Sequence, residues 1–228
     1  RWSERYTKTD MVYLVQGGFW LYLGNVITMA VSLGSAIAFA NLLTPELYGN
    51  YKYILSVTGV LGALTLSGLG TAVTRSVARG YEGTLSYAFM LMVKWSPLIS
   101  LSAGVAALYY ISQGNLTLGI SFVIAGFTLP FITATSLFRP FLIGKKKFFS
   151  ASILGVIQNA LPAVATIAAV FLTSNVIILV GVYFISQTIV YGALYLYIKK
   201  RLVTNNSIDD SFENLGKHVS VMNFISAV

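Results

Sequence analysis

The sequence predicts an all-α, polytopic transmembrane helix bundle: six membrane helices plus the start of a seventh, with the N-terminus in the cytoplasm. Three observations predict it. Six apolar stretches of about 20 residues or more follow one another, and about 20 such residues suffice to cross a hydrocarbon core of about 30 Å. With 56% hydrophobic and only 10% charged residues in a chain of 228, and a mean hydropathy of +0.76, the apolar surface exceeds what one globular core buries. Finally, Lys and Arg gather on alternate connections, which is the signature of the positive-inside rule.

The first helix is expected at residues 14–43. Ala36, Phe39 and Ala40 include the small-residue pattern of a signal-peptidase site, but roughly 25 apolar residues exceed the 7 to 15 of a signal-peptide core, so the stretch is a retained helix. Asn25, Thr28, Ser32 and Ser35 recur at steps of three, four and three and so form one polar stripe on it. The second helix, 51–70, carries Gly59, Gly62, Gly68 and Gly70 as close-packing or hinge positions. The third, 85–111, holds Lys94 and Pro97, and the fourth, 118–143, holds Pro130. In the fifth, 149–172, Ser152, Gly155, Asn159, Pro162 and Thr166 repeat the stripe of the first. The sixth covers 176–198 and a seventh begins near 215.

Connections 44–50, 112–117 and 173–175 contain neither Lys nor Arg and are placed outside, whereas Arg1, Arg5, Lys8, Arg75, Arg79, Arg139, Lys145, Lys146, Lys147, Lys199, Lys200, Arg201 and Lys217 share the other side. Thirteen of the fifteen basic residues therefore face the cytoplasm. The expected organisation is an N-terminal six-helix lobe at 1–198, a cytoplasmic linker at 199–214 that would be the hinge between two lobes, and the opening of a second, truncated lobe at 215–228. A start at Arg1 without Met and a stop at Val228 within an apolar run make a fragment the expectation. Tyr48, Tyr51, Tyr53, Tyr109 and Tyr110 fit an aromatic belt at the outer interface.

The net charge of +8 would suggest nucleic acid in a soluble domain, but helix-end cations and anionic membrane lipids account for it, so no nucleic-acid partner is expected. Without Cys, and with His218 as the single histidine, there is no disulfide, thiol chemistry, His-rich metal site or Ser-His-Asp triad, and no cofactor is expected.

Two cations fall outside the cytoplasmic set. Lys52, at the outer lip, reaches the headgroups along its own stem. Lys94 lies about 14 Å into its helix, near mid-membrane, where a cation costs about 2.5 to 3.5 kcal/mol and calls for a polar cavity or partner. Pro97, Pro130 and Pro162 free the carbonyls of Val93, Gly126 and Gln158, so broken backbone and polar groups coincide beside Lys94 and at Gln158 and Asn159. The bland reading is that the prolines only shape the bundle and the small-residue stripes only pack helices. All seven acids, Glu4, Asp10, Glu46, Glu82, Asp209, Asp210 and Glu213, lie outside the helix cores. A buried cation with amides and no membrane carboxylate suits an anionic ligand such as phosphate or pyrophosphate.

Residues 17–80 resemble the N-terminal part of the polysaccharide and oligosaccharide flippases, exporters of O-antigen and teichoic-acid precursors within the multidrug/oligosaccharidyl-lipid/polysaccharide exporter superfamily. The resemblance rests on Phe39-Ala40-Asn41-Leu42-Leu43-Thr44-Pro45-Glu46-Leu47-Tyr48-Gly49 and on Gly68-Leu69-Gly70-Thr71-Ala72-Val73-Thr74-Arg75-Ser76-Val77-Ala78. Thr44 suits a cap and Pro45 a first helical turn. What the resemblance implies is a two-lobed transporter with a basic central cavity, moving a lipid-linked sugar pyrophosphate across the cytoplasmic membrane by alternating access, its lipid tail left in the bilayer. The substrate-binding candidates are Lys94, Asn25, Gln158, Asn159, Arg139 and Arg75; the partners are the lipid-linked substrate, membrane lipids and the missing second lobe. The alternatives are a multidrug extruder, which needs a membrane carboxylate, and a six-helix scaffold or transporter acting as a homodimer. A membrane transferase finds no acidic or metal-ligand cluster to work with, so no enzyme is expected.

Overall fold

The computed structural model describes residues 11–63, 68–209 and 212; Arg1, Arg5, Lys8, Lys217 and the expected seventh helix lie outside them. Eight helices and no strand occur among the described residues. They are α1 (Met11–Leu42), α2 (Pro45–Ala63), α3 (Leu69–Ala78), α4 (Thr84–Ser112), α5 (Leu116–Thr135), α6 (Phe138–Gly144), α7 (Phe148–Val170) and α8 (Val176–Leu202).

Five spans are long and apolar enough to cross a membrane: Gly17–Leu42, Thr84–Ser112, Leu116–Gly144, Phe148–Val170 and Val176–Leu202. The expected second crossing, 51–70, differs. Its helix starts earlier, at Pro45, and Glu46, Asn50 and Lys52 in the first turns dilute its apolar character. Thr44 starts it as its sequence suggests, accepting from the Leu47 N–H at 3.4 Å while its carbonyl takes the Tyr48 N–H at 3.0 Å. The stretch expected as one connection, 44–50, is therefore mostly helix. Residues 64–67 lie outside the description, and α3 then begins at Leu69. The expected fourth helix is two: α5 stops at Thr135, Ser136 and Leu137 turn, and α6 restarts at Phe138. Pro140 explains the restart, since it supplies no N–H to the Ser136 carbonyl and suits a first helical turn.

Packing pairs α4 with α5 as an antiparallel hairpin, α1 with α7, and α8 with both α5 and α7, while α3 lies on α6. The α4–α5 reversal uses Gly114 at φ +78°, and Asn115 and Asn175 cap α5 and α8 by accepting from Leu118 N–H (3.1 Å) and Ile177 N–H (2.9 Å). The carbonyl of Gly126, freed by Pro130, takes the Ser100 hydroxyl of α4 at 2.9 Å, so a neighbouring helix repairs the broken ladder. Gly24 meets Ser152 so closely that a Cβ would lie 2.8 Å from the serine Cβ, and the Ser152 hydroxyl donates to the Trp20 carbonyl at 2.6 Å. Ser152 of the α7 stripe does pack helices, against α1 residues that lie beside the α1 stripe. Gly59 and Gly62 have nothing within 4 Å of a Cβ and are not close-packing positions.

Two apolar clusters form. One holds Phe39, Ile54, Phe122, Leu179 and Phe184, the other Leu69, Leu85, Phe138, Phe141 and Ile198. Large side chains such as Val105 (68% exposed) and Phe127 (75%) point outward, as a lipid solvent permits and water does not. At the basic end, residues 203–209 are docked along the turn between α3 and α4. Glu82 pairs with Lys145 of the α6–α7 turn and accepts from the Thr204 N–H (2.7 Å) and hydroxyl (3.0 Å). Burial alone would raise the Glu82 pKa, but these donors outweigh it and hold the carboxyl below its ordinary value. Asp209 accepts from Ser76 at 3.0 Å and pairs with Arg79 at 3.6 Å, and Phe212 is buried against Tyr87. A Cβ on Gly83 would lie 2.4 Å from the Asn206 carbonyl oxygen. The segment expected as a hinge is thus fastened, over residues 203–209, to this lobe.

Candidate functional site

Arg139 sits in the first turn of α6, just past the break. The short helix is held from behind by α3: the Thr74 hydroxyl donates to the Pro140 carbonyl at 3.1 Å, and Gly144 lets the backbone of α3 approach, a Cβ there falling 2.7 Å from the Thr74 carbonyl oxygen. The guanidinium is thereby aimed across to α1, where Nη2 donates to Asn25 Oδ1 at 3.0 Å. It lies over α7 at Gly155, where even a methyl group would be 3.3 Å from Nε. One turn on, Gln158 donates through Nε2 to Tyr191 Oη of α8 at 2.9 Å. Four elements therefore meet about 10–15 Å along α7 from its basic end.

The electrostatics of this cluster are unbalanced. Arg139 Nε and Gln158 Oε1 are both buried without a hydrogen-bond partner, one an unused donor on a cation and the other an unused acceptor. The two ion pairs among the described residues use Glu82 and Asp209 at the basic end, so no described carboxylate neutralises Arg139. A guanidinium with a fork of donors and only an amide as its hydrogen-bond partner favours an anionic oxygen such as that of a phosphate or pyrophosphate.

Above the cluster, the rest of the stripes opens into a cavity of about 130 Å³ lined by Ser32, Ser35, Tyr51, Lys52, Asn159 and Tyr183. Asn159 donates to the Gly155 carbonyl at 2.8 Å and so ties the cavity to the Arg139 layer. Lys52 is exposed, with Nζ 5.6 Å from the Tyr48 ring centroid, and belongs to the cavity wall as well as to the lip.

Of the six residues singled out from sequence, the structure brings Arg139, Asn25 and Gln158 into one cluster and puts Asn159 in the adjoining cavity. Arg75 is exposed on α3, one residue from Thr74. Lys94 is exposed on α4, beside exposed Trp95 and Val93, on a helix whose principal neighbour is α5 rather than α1 or α7. Tyr191, Tyr183 and the guanidinium platform at Gly155 were not singled out as site positions. The tyrosines of α8 carry no polar periodicity to mark them, whereas Gly155 was already in the α7 stripe.

Fold and site together define a multi-pass membrane protein with a polar, cationic seam between its helices. A family model described as "Polysaccharide biosynthesis protein" matches residues 14–226, and the chain belongs to that family. No curated protein and no solved structure matches the chain. The chain is accordingly a multi-pass protein of the cytoplasmic membrane, of a polysaccharide-related transporter type.

Proposed function

We propose that this chain is the N-terminal lobe of a flippase that carries a lipid-linked oligosaccharide or polysaccharide precursor across the cytoplasmic membrane by alternating access. In this reading α2 provides a sixth crossing, the N-terminus is cytoplasmic, and a second lobe covers the exposed side of α1. The observation that carries it is Arg139: a guanidinium within the membrane-spanning seam, with a buried unpaired Nε and no described carboxylate near it. The pyrophosphate engages Arg139 and Asn25, with Gln158 beside them. The sugar hydroxyls occupy the cavity at Ser32, Ser35 and Asn159, and the polyprenyl tail remains in lipid. Arg75, exposed towards the basic end, draws the headgroup in. A multidrug extruder is disfavoured because no membrane carboxylate occurs among the described residues.

The test is translocation of a fluorescent lipid-linked sugar pyrophosphate by the full-length protein in proteoliposomes. A charge-assisted hydrogen bond is worth about 1.5–3 kcal/mol, so Arg139→Gln is expected to lower transport about 10- to 150-fold, with Arg139→Lys intermediate. Wild-type rates in a folded Arg139→Gln protein would refute the assignment.

A further inference from the structure

A second groove lies at the basic end of the molecule, on the far side of α7 from the seam. It has a volume of about 250 Å³ and runs between the first turns of α7 and the last turns of α8, with Ile153, Leu154, Ile198 and Leu202 for walls and Lys147 and Ser150 at its rim. Tyr197 and Phe149, exposed by 57% and 50%, flank its opening. Its chemistry is divided: apolar walls, and a cation at the rim.

Two features make the rim fit for an anion. Lys147 is exposed and is held at the start of α7 by backbone bonds from Lys146 to the Ile143 carbonyl and from Lys147 to the Leu142 carbonyl, both 2.9 Å. Lys199, Lys200 and Arg201, all exposed, add positive charge from the last turn of α8. The described carboxylates at this end, Glu82 and Asp209, are already committed to Lys145, Thr204, Ser76 and Arg79.

We infer that this groove is a binding site for an anionic glycerophospholipid, separate from the transport seam. The phosphate is held by Lys147, and one acyl chain lies along Ile153, Leu154 and Ile198. Apolar walls select a lipid over free phosphate, and the cationic rim selects an anionic headgroup over a zwitterionic one. The site would brace α7, which carries Gly155 and Gln158, against α8, which carries Tyr191. It does not depend on the nature of the transported substrate.

Native mass spectrometry of the full-length protein, titrated with phosphatidylglycerol and with phosphatidylcholine of the same chains, tests it. Phosphatidylglycerol is expected to be retained preferentially. Lys147→Gln is expected to weaken that retention about fivefold, the equivalent of about 1 kcal/mol per basic residue at an anionic surface. Ile153→Trp, which fills the trough, should reduce binding of the lipid while leaving Lys147 in place. Lys52→Gln, at the other end, should leave phosphatidylglycerol retention unchanged. Equal retention of the two lipids, an unchanged preference in Lys147→Gln, or an equal loss in Lys52→Gln would each overturn the site. Lys147 is exposed, so its variant carries the test even if Ile153→Trp fails to fold.

Discussion

Removing the Glu82 carboxylate should loosen the basic end of the lobe by an amount the structure allows to be worked out. Glu82 is 11% exposed and its partner Lys145 23% exposed, so neither is a surface charge whose pairing water would cancel. The carboxylate accepts from three donors: Lys145 Nζ, the Thr204 N–H at 2.7 Å and the Thr204 hydroxyl at 3.0 Å. Hydrogen bonds to a charged group contribute about 1.5–3 kcal/mol each, but three that share one carboxylate do not add, so about 3 kcal/mol is expected for Glu82→Ala. Glu82→Gln keeps an acceptor for Thr204 and should cost about half as much.

The pH dependence fixes the sign. The carboxyl is held below its ordinary pKa of 4.5 in the folded protein, so its stabilisation is complete above that value and is lost as pH falls through the lowered folded pKa. Equilibrium unfolding in detergent micelles, followed by tryptophan fluorescence, measures both effects. The gap between wild type and Glu82→Gln should be widest at neutral pH and close as pH drops below 4.5. A gap that does not change with pH, or a Glu82→Ala protein within about 0.5 kcal/mol of wild type, would refute the reasoning.

Three other perturbations follow from the packing. Gly83→Ala drives a Cβ to 2.4 Å from the backbone of Asn206, and an overpacked contact of about 1–3 kcal/mol is expected to appear as faster proteolytic cleavage within residues 203–209. Ser100→Ala leaves the Gly126 carbonyl without its partner, and unfolding should show a loss of about 1 kcal/mol, well below the cost in dry hydrocarbon because the unfolded state also finds partners. Lys94→Ala, on a helix outside the Arg139 cluster, should leave translocation within about twofold of wild type, and a tenfold fall would return Lys94 to the pathway.

The long helices are legible because their signal is local: apolar length, and cations at one end. The break at Ser136–Leu137 is masked in the sequence, although Pro140 marks it, because the apolar run continues across it without interruption. Mid-membrane depth drew attention to Lys94, but depth says nothing about direction around a helix, and the α4 face that carries Lys94 is exposed. The stripes on α1 and α7 were informative for the opposite reason: two periodic polar faces have one economical solution, which is to meet. Tyr191 and Tyr183 had no such pattern. Their place depends on α8 docking against α7, a tertiary fact that no single segment encodes. Composition marks the linker as a hinge, and what fastens residues 203–209 is long-range: Glu82, Ser76 and Arg79.

The pairing of α1 with α7 has a consequence for how the chain is made. Helix α1 finds its main neighbour in α7, with five helices between them in sequence, and makes little contact with α2 beside it. About 130 residues separate the end of α1 from the end of α7, on the order of ten seconds of synthesis at 5–20 residues per second. During that interval α1 holds Asn25 in the bilayer with neither Arg139 nor α7 to receive it, a window in which an insertion chaperone has a polar helix to shelter and in which a stalled chain would be open to degradation.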